Sequence, residues 1–100
     1  MEEVLYYNEL YDLYGGLLTT KQKKYYEDYY FNDLSLGEIA DLYGVSRNAI
    51  FKQVHNVTKK LEDYEKKLGL LDKKKDLLNI IDDIKDKNIK NNLNKIVDKF

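Results

Sequence analysis

Ser35-Leu-Gly-Glu-Ile-Ala-Asp-Leu-Tyr-Gly-Val-Ser-Arg-Asn-Ala-Ile-Phe-Lys-Gln-Val54 is the stretch that decides the fold. It reads as two helices joined by a tight turn. Ser35, followed three residues later by Glu38, makes a capping box: the hydroxyl takes the Glu38 N–H and the carboxylate reaches back to the Ser35 N–H. The helix it opens has barely two turns before Gly44, placed where a left-handed backbone costs glycine nothing. Ala40 is small where the second helix must cross at close range, a site that a larger side chain would strain. Val45 is expected to plug the gap between the helices, Ser46 to cap the second, and Ile39 and Ile50 to meet in the core. Two helices set at roughly 90 to 120 degrees across such a turn form a helix-turn-helix, whose second helix projects from the body.

The surrounding sequence supplies the rest of the bundle. Tyr6, Leu10, Leu13, Tyr14 and Leu17 recur at helical spacing, predicting a helix over roughly Glu2 to Tyr14 that Gly15-Gly16 ends. Thr19 and Gln22 form a second capping box, opening a helix to about Phe31, with a turn at Asn32-Asp33. After Ser46, the residues Ile50, Val54, Val57, Leu61, Tyr64, Leu68 and Leu71 alternate spacings of four and three, a coiled-coil-like seam. Gly69 either weakens that helix or ends it. Asp72 is the expected cap of a further helix carrying Leu77, Ile81 and Ile84, broken near Asn88. Ile89, Leu93, Ile96 and Phe100 form a last amphipathic stripe, where Asn88, Asn91, Asn92 and Asn94 lower helix propensity. With no proline and five glycines, the chain lacks the punctuation of hairpins and short strands. The expected class is all-α: a helical bundle with a helix-turn-helix and a long second helix in residues 1–68, then a C-terminal helical extension in residues 69–100.

One hundred residues, 43% hydrophobic and 35% charged, are room for one core beneath a heavily solvated surface, since an average domain is about 25% charged. The absence of cysteine excludes disulfides, thiolate catalysis and thiolate-bound metal, and the lone histidine excludes a His-pair metal site. No cofactor or metal is expected. Nowhere do about 18 apolar residues run together, and no basic start precedes an apolar run, so the expected location is cytoplasmic, without membrane insertion. Paired carboxylates such as Asp82-Asp83 stand among lysines on solvated helices without the pocket that acid–base chemistry requires, so no enzymatic activity is expected.

The net charge of −1 hides a segregation. Residues 1–45 carry three lysines against nine acids, and residues 61–100 carry ten lysines against nine acids. Between them, residues 46–60 carry Arg47, Lys52, Lys59 and Lys60 with no acid at all. A positive island in an acidic chain is a local electrostatic feature, unlike evenly mixed charge. At about 100 degrees per residue, with Ile50, Val54, Val57 and Leu61 turned inward, Asn48, Lys52, His55 and Lys59 fall within about 40 degrees of the opposite side. Asparagine reads adenine bidentately, lysine approaches guanine or phosphate, and free N–H groups at a helix start favour a phosphate. Arg47, the only arginine, stands in the first turn, where a guanidinium can grip phosphate or guanine with two parallel bonds. The candidate DNA-binding residues are therefore Ser46, Arg47, Asn48, Lys52, His55, Lys59 and Lys60. The plain alternative is a solvated cationic face with His55 as a surface residue. Lys21, Lys23 and Lys24 are either backbone contacts or an exposed helix start. The tyrosine pairs at 6-7, 25-26 and 29-30 are expected to be half core and half surface, with no nucleotide-stacking platform among them.

From Leu18 to Leu61, and most closely in Ser35 to Arg47, the sequence resembles the fourth conserved region of bacterial sigma factors, which reads promoter DNA. This implies a winged-helix-like DNA-binding fold without a wing. A fuller resemblance, over about residues 5–71, is to the YlxM family of small bacterial helix-turn-helix proteins. It rests on the tyrosine-rich first helix, Leu17-Leu18-Thr19, Lys21-Gln22, Tyr29-Tyr30, Ser35 to Ala40, and Val45-Ser46-Arg47. Members of that family are typically encoded beside the signal recognition particle protein Ffh, which implies a role in regulating or assisting protein targeting. Thr20 departs from the proline common in relatives, and His55-Asn56 replaces a more basic stretch, which lowers the DNA affinity to be expected. With no core-polymerase-binding region before the motif, the chain is not expected to act as a sigma factor alone.

Two functional readings follow. In the first, the chain is a regulatory module that binds double-stranded DNA. The alternative is a protein-interaction module in which the acidic N-terminal half or the C-terminal seam meets a basic partner, a component of the targeting pathway. RNA binding ranks below both, since no aromatic-bearing sheet is in prospect. A homodimer is expected, because Leu61, Tyr64, Leu68, Leu71, Leu77, Ile81, Ile84, Leu93, Ile96 and Phe100 are more apolar surface than one small chain readily covers. The competing arrangement folds the C-terminal helices back over the chain's own core.

Overall fold

The computed structural model describes residues 2–100, and all regular structure among them is helical. Helix α1 (Glu2–Tyr14) gives way to a single 3₁₀ turn at Gly15–Leu17. There follow α2 (Thr20–Tyr30), α3 (Leu36–Tyr43), α4 (Arg47–Leu68), α5 (Leu70–Asp82) and α6 (Lys87–Val97). The starts of α2, α3 and α4 are written locally. Thr19 and Gln22 close a reciprocal capping box at 2.9 and 3.1 Å, Ser35 and Glu38 another at 3.1 Å both ways, and the Ser46 hydroxyl accepts the Ala49 N–H at 3.1 Å. Gly44 stands at φ +66°, and its N–H and that of Val45 both return to the Ala40 carbonyl, ending α3. The Ser35 N–H bonded to Glu38 holds that carboxyl below the usual carboxylate range.

Two apolar clusters meet along α4. Tyr25, Ile39, Ala40, Ile50 and Val54 form the helix-turn-helix core, while Leu10, Tyr14, Leu18, Tyr26, Val57, Leu61 and Leu71 join α1, α2, α4 and the start of α5. The inner stripe of α4 is thus consumed within the chain. Tyr26 lies at the centre of the second cluster, stacked on Tyr11 at 4.5 Å and donating its hydroxyl to Asn8 at 2.7 Å. Of the tyrosine pairs, the second is wholly core, whereas Tyr6 and Tyr29 are exposed beside half-buried Tyr7 and Tyr30.

Five expectations need correction. Val45 does not plug the helix crossing, because its N–H is tied back to Ala40 and its side chain stays 44% exposed; Tyr25 of α2 fills that space. Of the two alternatives for Gly69 the structure shows the second, φ +62° ending α4, so the seam does not run through to Leu71. Leu61 is fully buried in the chain's own core and Leu68 is 46% exposed, so the long helix offers no continuous free stripe. Asp72 does not cap α5. Its N–H and that of Leu71 are taken by Glu65 from the preceding helix. The break after α5 comes at Asp83 to Asp86, where the Asp86 carboxylate accepts the N–H groups of Asn88 and Ile89 and starts α6, leaving Asn88 inside the helix.

The C-terminal helices are arranged in part as the fold-back alternative expected. Helix α5 returns along α1, with Leu71 in the core and Lys75 3.6 Å from Glu9. Helix α6 packs chiefly on α5, where Ile81 and Val97 are buried. The hairpin draws the molecule out to 55 × 25 × 24 Å, with a radius of gyration of 16.9 Å where a compact chain of this length has about 13 Å.

Candidate nucleic-acid interface

The projecting surface is the first half of α4. Its inner side is fixed by Ile50, fully buried, and Val54 against Ile39, Ala40 and Tyr25. Helix α3 is braced from behind by Tyr43, which donates its hydroxyl to Asp28 at 2.8 Å and sets its ring edge-on to Tyr25 at 5.1 Å. The carboxylate so placed pushes the Tyr43 hydroxyl pKa up. Exposed face and core are therefore two sides of one helix, and the outer side is held rigidly by the inner.

All seven candidate side chains, Ser46, Arg47, Asn48, Lys52, His55, Lys59 and Lys60, are exposed. Ser46 is the cap, its hydroxyl engaged by Ala49. Among the described residues, none of the four cations takes part in an ion pair. Asn48 to Lys59 cover about 16 Å of helix axis at the usual rise, a length that fits a stretch of major groove. His55 stacks on Phe51, ring centroids 6.0 Å apart and planes 6° from parallel. Of the earlier lysines, Lys21 lies over the Tyr25 ring at 5.8 Å and Lys23 is half-buried, which favours the helix-surface account of that segment.

Two features escaped the sequence reading. Phe51 is 52% exposed on the flank of the outward face; a phenylalanine off the inward stripe, four residues before the lone histidine, was the available signal. The second is Glu65. It is buried, and its carboxylate accepts the Tyr14 hydroxyl at 2.6 Å and the N–H groups of Leu71 and Asp72 at 3.0 and 3.2 Å. The Tyr14 oxygen in turn accepts the Leu70 N–H at 3.1 Å. Burial alone would raise the Glu65 pKa, but the hydroxyl and the two backbone donors outweigh it and hold the carboxyl below its ordinary value. Burial and the same carboxylate push Tyr14 up to about 12. Nearby, the hydrogen bond that Tyr7 donates to Glu62 pushes its pKa to about 12 as well.

Set beside known proteins, the chain matches over residues 1–99 the model of the UPF0122 family, described as helix-turn-helix protein, YlxM / p13 like. It is 46% identical over 86 residues to the UPF0122 protein of Geobacillus kaustophilus, an alignment covering 86% of this chain and 78% of that one. Against the UPF0122 protein of a Thermoanaerobacter species it is 42% identical over 84 residues, covering 84% and 72%. Against that of Listeria welshimeri it is 53% identical over 66 residues, covering 66% and 60%.

Proposed function

We propose that this chain, which belongs to the UPF0122 family of YlxM / p13 like helix-turn-helix proteins, binds double-stranded DNA with the first half of α4 and serves as a regulatory protein. One observation carries the reading: an exposed helix face with four cations, no acid between residues 46 and 60, and no ion pair for those cations among the described residues. Charge left unmatched on a rigid projecting helix is what a polyanion needs. Arg47 and Asn48 stand in the first turn, where a helix-turn-helix presents side chains to base edges, while Lys52, His55, Lys59 and Lys60 continue along the helix toward phosphates. As in the sigma-like resemblance, the motif positions these side chains, and the acidic segment of residues 1–45 restrains indiscriminate binding. The resemblance to a family encoded beside Ffh supports protein targeting as the process served.

The protein acts as a homodimer, joined by apolar surface outside the helix-turn-helix. Ile80, Ile89, Ile96 and Phe100 are 63%, 51%, 57% and 44% exposed, a concentration of apolar side chains on the C-terminal hairpin that supports this pairing. A two-fold pair doubles the phosphate contacts of a single small island. No helix among the described residues is long and apolar enough to cross a membrane.

The test is fluorescence anisotropy of a labelled pool of genomic duplex fragments at low and moderate salt. Saturable binding that weakens with salt is expected. Absence of binding at low salt, with the same protein capturing only proteins from lysate, overturns the DNA reading in favour of protein interaction.

A further inference from the structure

On the flank of α4 that faces α1 and α2 lies a cleft walled by aromatic rings. A lobe of about 220 Å³ is bordered by Tyr7 of α1, Tyr29 and Tyr30 of α2, and Phe51 and His55 of α4. The tyrosines do not lie flat on one another: Tyr29 stands at 87° to Tyr30 with centroids 5.0 Å apart, and Tyr7 at 50° to Tyr30 at 6.3 Å. Phe51 forms the α4 side, parallel to His55 and 52% exposed, so the fold leaves much of its ring uncovered. Glu3 borders this lobe too, and with Asp33 and Glu38 it lines an adjoining lobe of about 500 Å³ over the α2–α3 turn. Among the described residues, no lysine or arginine lines either lobe. Ring faces and carboxylates are both negative, so the cleft attracts a cation and repels an anion.

The walls decide which kind of cation. Beyond the rings and Glu3, the smaller lobe is closed by Leu36, Val54 and Thr58, whose hydroxyl is turned to the His55 carbonyl at 2.8 Å. A primary ammonium would shed water there against a single carboxylate, with three N–H donors to satisfy. A methylated ammonium has little or no such demand and packs its charged methyl groups on ring faces. The Tyr7 proton, donated to Glu62, draws that ring further negative. At about 220 Å³ the lobe is smaller than the ~300 to 1,000 Å³ of drug-sized ligand sites, and suits a compact head group. We propose that it binds a small methylated ammonium on the Tyr29, Tyr30 and Phe51 rings, with Glu3 as counter-charge. Asp33 and Glu38 turn away a ligand with phosphate beside the ammonium, so the occupant is a free solute and not a phospholipid head group. The site shares only His55 with the candidate DNA-binding residues and stands whether or not the outer face of α4 binds DNA.

Choline is the probe, titrated into the full chain and followed by amide NMR. Saturable shifts centred on residues 29, 30, 51 and 55 are expected. The neutral isostere with carbon in place of nitrogen should bind at least about tenfold more weakly, and phosphocholine more weakly than choline. Tyr29→Leu and Phe51→Leu, both at exposed positions, keep apolar bulk while removing a ring face. Each should weaken choline binding by about threefold or more with the spectrum otherwise preserved, and Glu3→Gln should act in the same direction. Equal binding of the neutral isostere would make the cleft an apolar groove and overturn the proposal. So would phosphocholine binding as tightly as choline, choline binding indifferent to both ring variants, or no saturation by choline.

Discussion

The two ends of α4 use one helix in opposite ways. At its start a single serine hydroxyl closes the helix, and Arg47, Asn48 and Lys52 stand exposed, with neither cation in an ion pair among the described residues. In its last turn, Glu65 is buried with both oxygens engaged, gathering a hydroxyl from α1 and two N–H groups from α5. The α5 start has a glycine at its N-cap and no side-chain cap of its own, so a carboxylate from the previous helix supplies it. Polar groups that the chain matches internally hold the fold, and those it leaves unmatched are available to a partner. The same sequence pattern, a charged residue on an amphipathic helix, does both.

The comparison breaks most readily at Glu65. Glu65→Ala leaves two helix-start N–H groups and the Tyr14 hydroxyl without their acceptor in a buried place and is expected to cost about 2 to 4 kcal/mol in urea unfolding. Ser46→Ala at the other end should cost about 1 kcal/mol, the usual worth of a cap; equal losses would mean the ends are not different in kind. Next in size is the crossing between α3 and α4, where Ala40 is 4% exposed. Ala40→Leu should cost roughly 1 to 3 kcal/mol by overpacking, and Gly44→Val, forcing a β-branched residue to positive φ, about 1 to 2 kcal/mol. Both are read as shifts in thermal midpoint.

The Tyr14–Glu65 pair also makes stability depend on pH. Tyr14 is raised to about 12 from the ordinary value near 10, so its contribution is fully present below about pH 10 and is lost as pH rises through 10 toward 12. Glu65 is lowered, so its contribution is present above about pH 4.5 and is lost as pH falls below that toward the folded-state pKa. Tyr14→Phe should remove part of the alkaline loss at a cost of about 1 kcal/mol at neutral pH, as followed by far-ultraviolet circular dichroism. The smallest stability effects belong to the start of α4. Arg47→Ala and Asn48→Ala should leave the unfolding free energy within about 0.5 kcal/mol of the parent while weakening DNA binding. Unfolding of Arg47→Ala would make that arginine structural.

What was legible in the sequence was local. Capping boxes at Thr19 and Ser35, the left-handed turn at Gly44 and the inward stripe of Ile50, Val54, Val57 and Leu61 are each specified by residues within a few positions of one another. Glu65 was not legible, because Tyr14 lies 51 positions away and the N–H groups it accepts belong to a helix whose start a glycine conceals. Its position about 50 degrees off the buried stripe was the only trace. Reading the seam through Gly69 assumed that spacing outweighs backbone conformation, yet one residue at φ +62° turned Leu71 onto another helix and left Leu68 outside.

The claim at the centre of this account is that the unmatched cations at the start of α4 meet phosphate. Its most direct measurement is the salt dependence of duplex binding for the wild-type protein and Lys52→Glu. With three or four phosphates neutralised per chain, log affinity should fall against log salt with a slope of about −3 per monomer, and Lys52→Glu should bind more weakly with a shallower slope. A slope near zero, or an affinity that Lys52→Glu leaves unchanged, would contradict it.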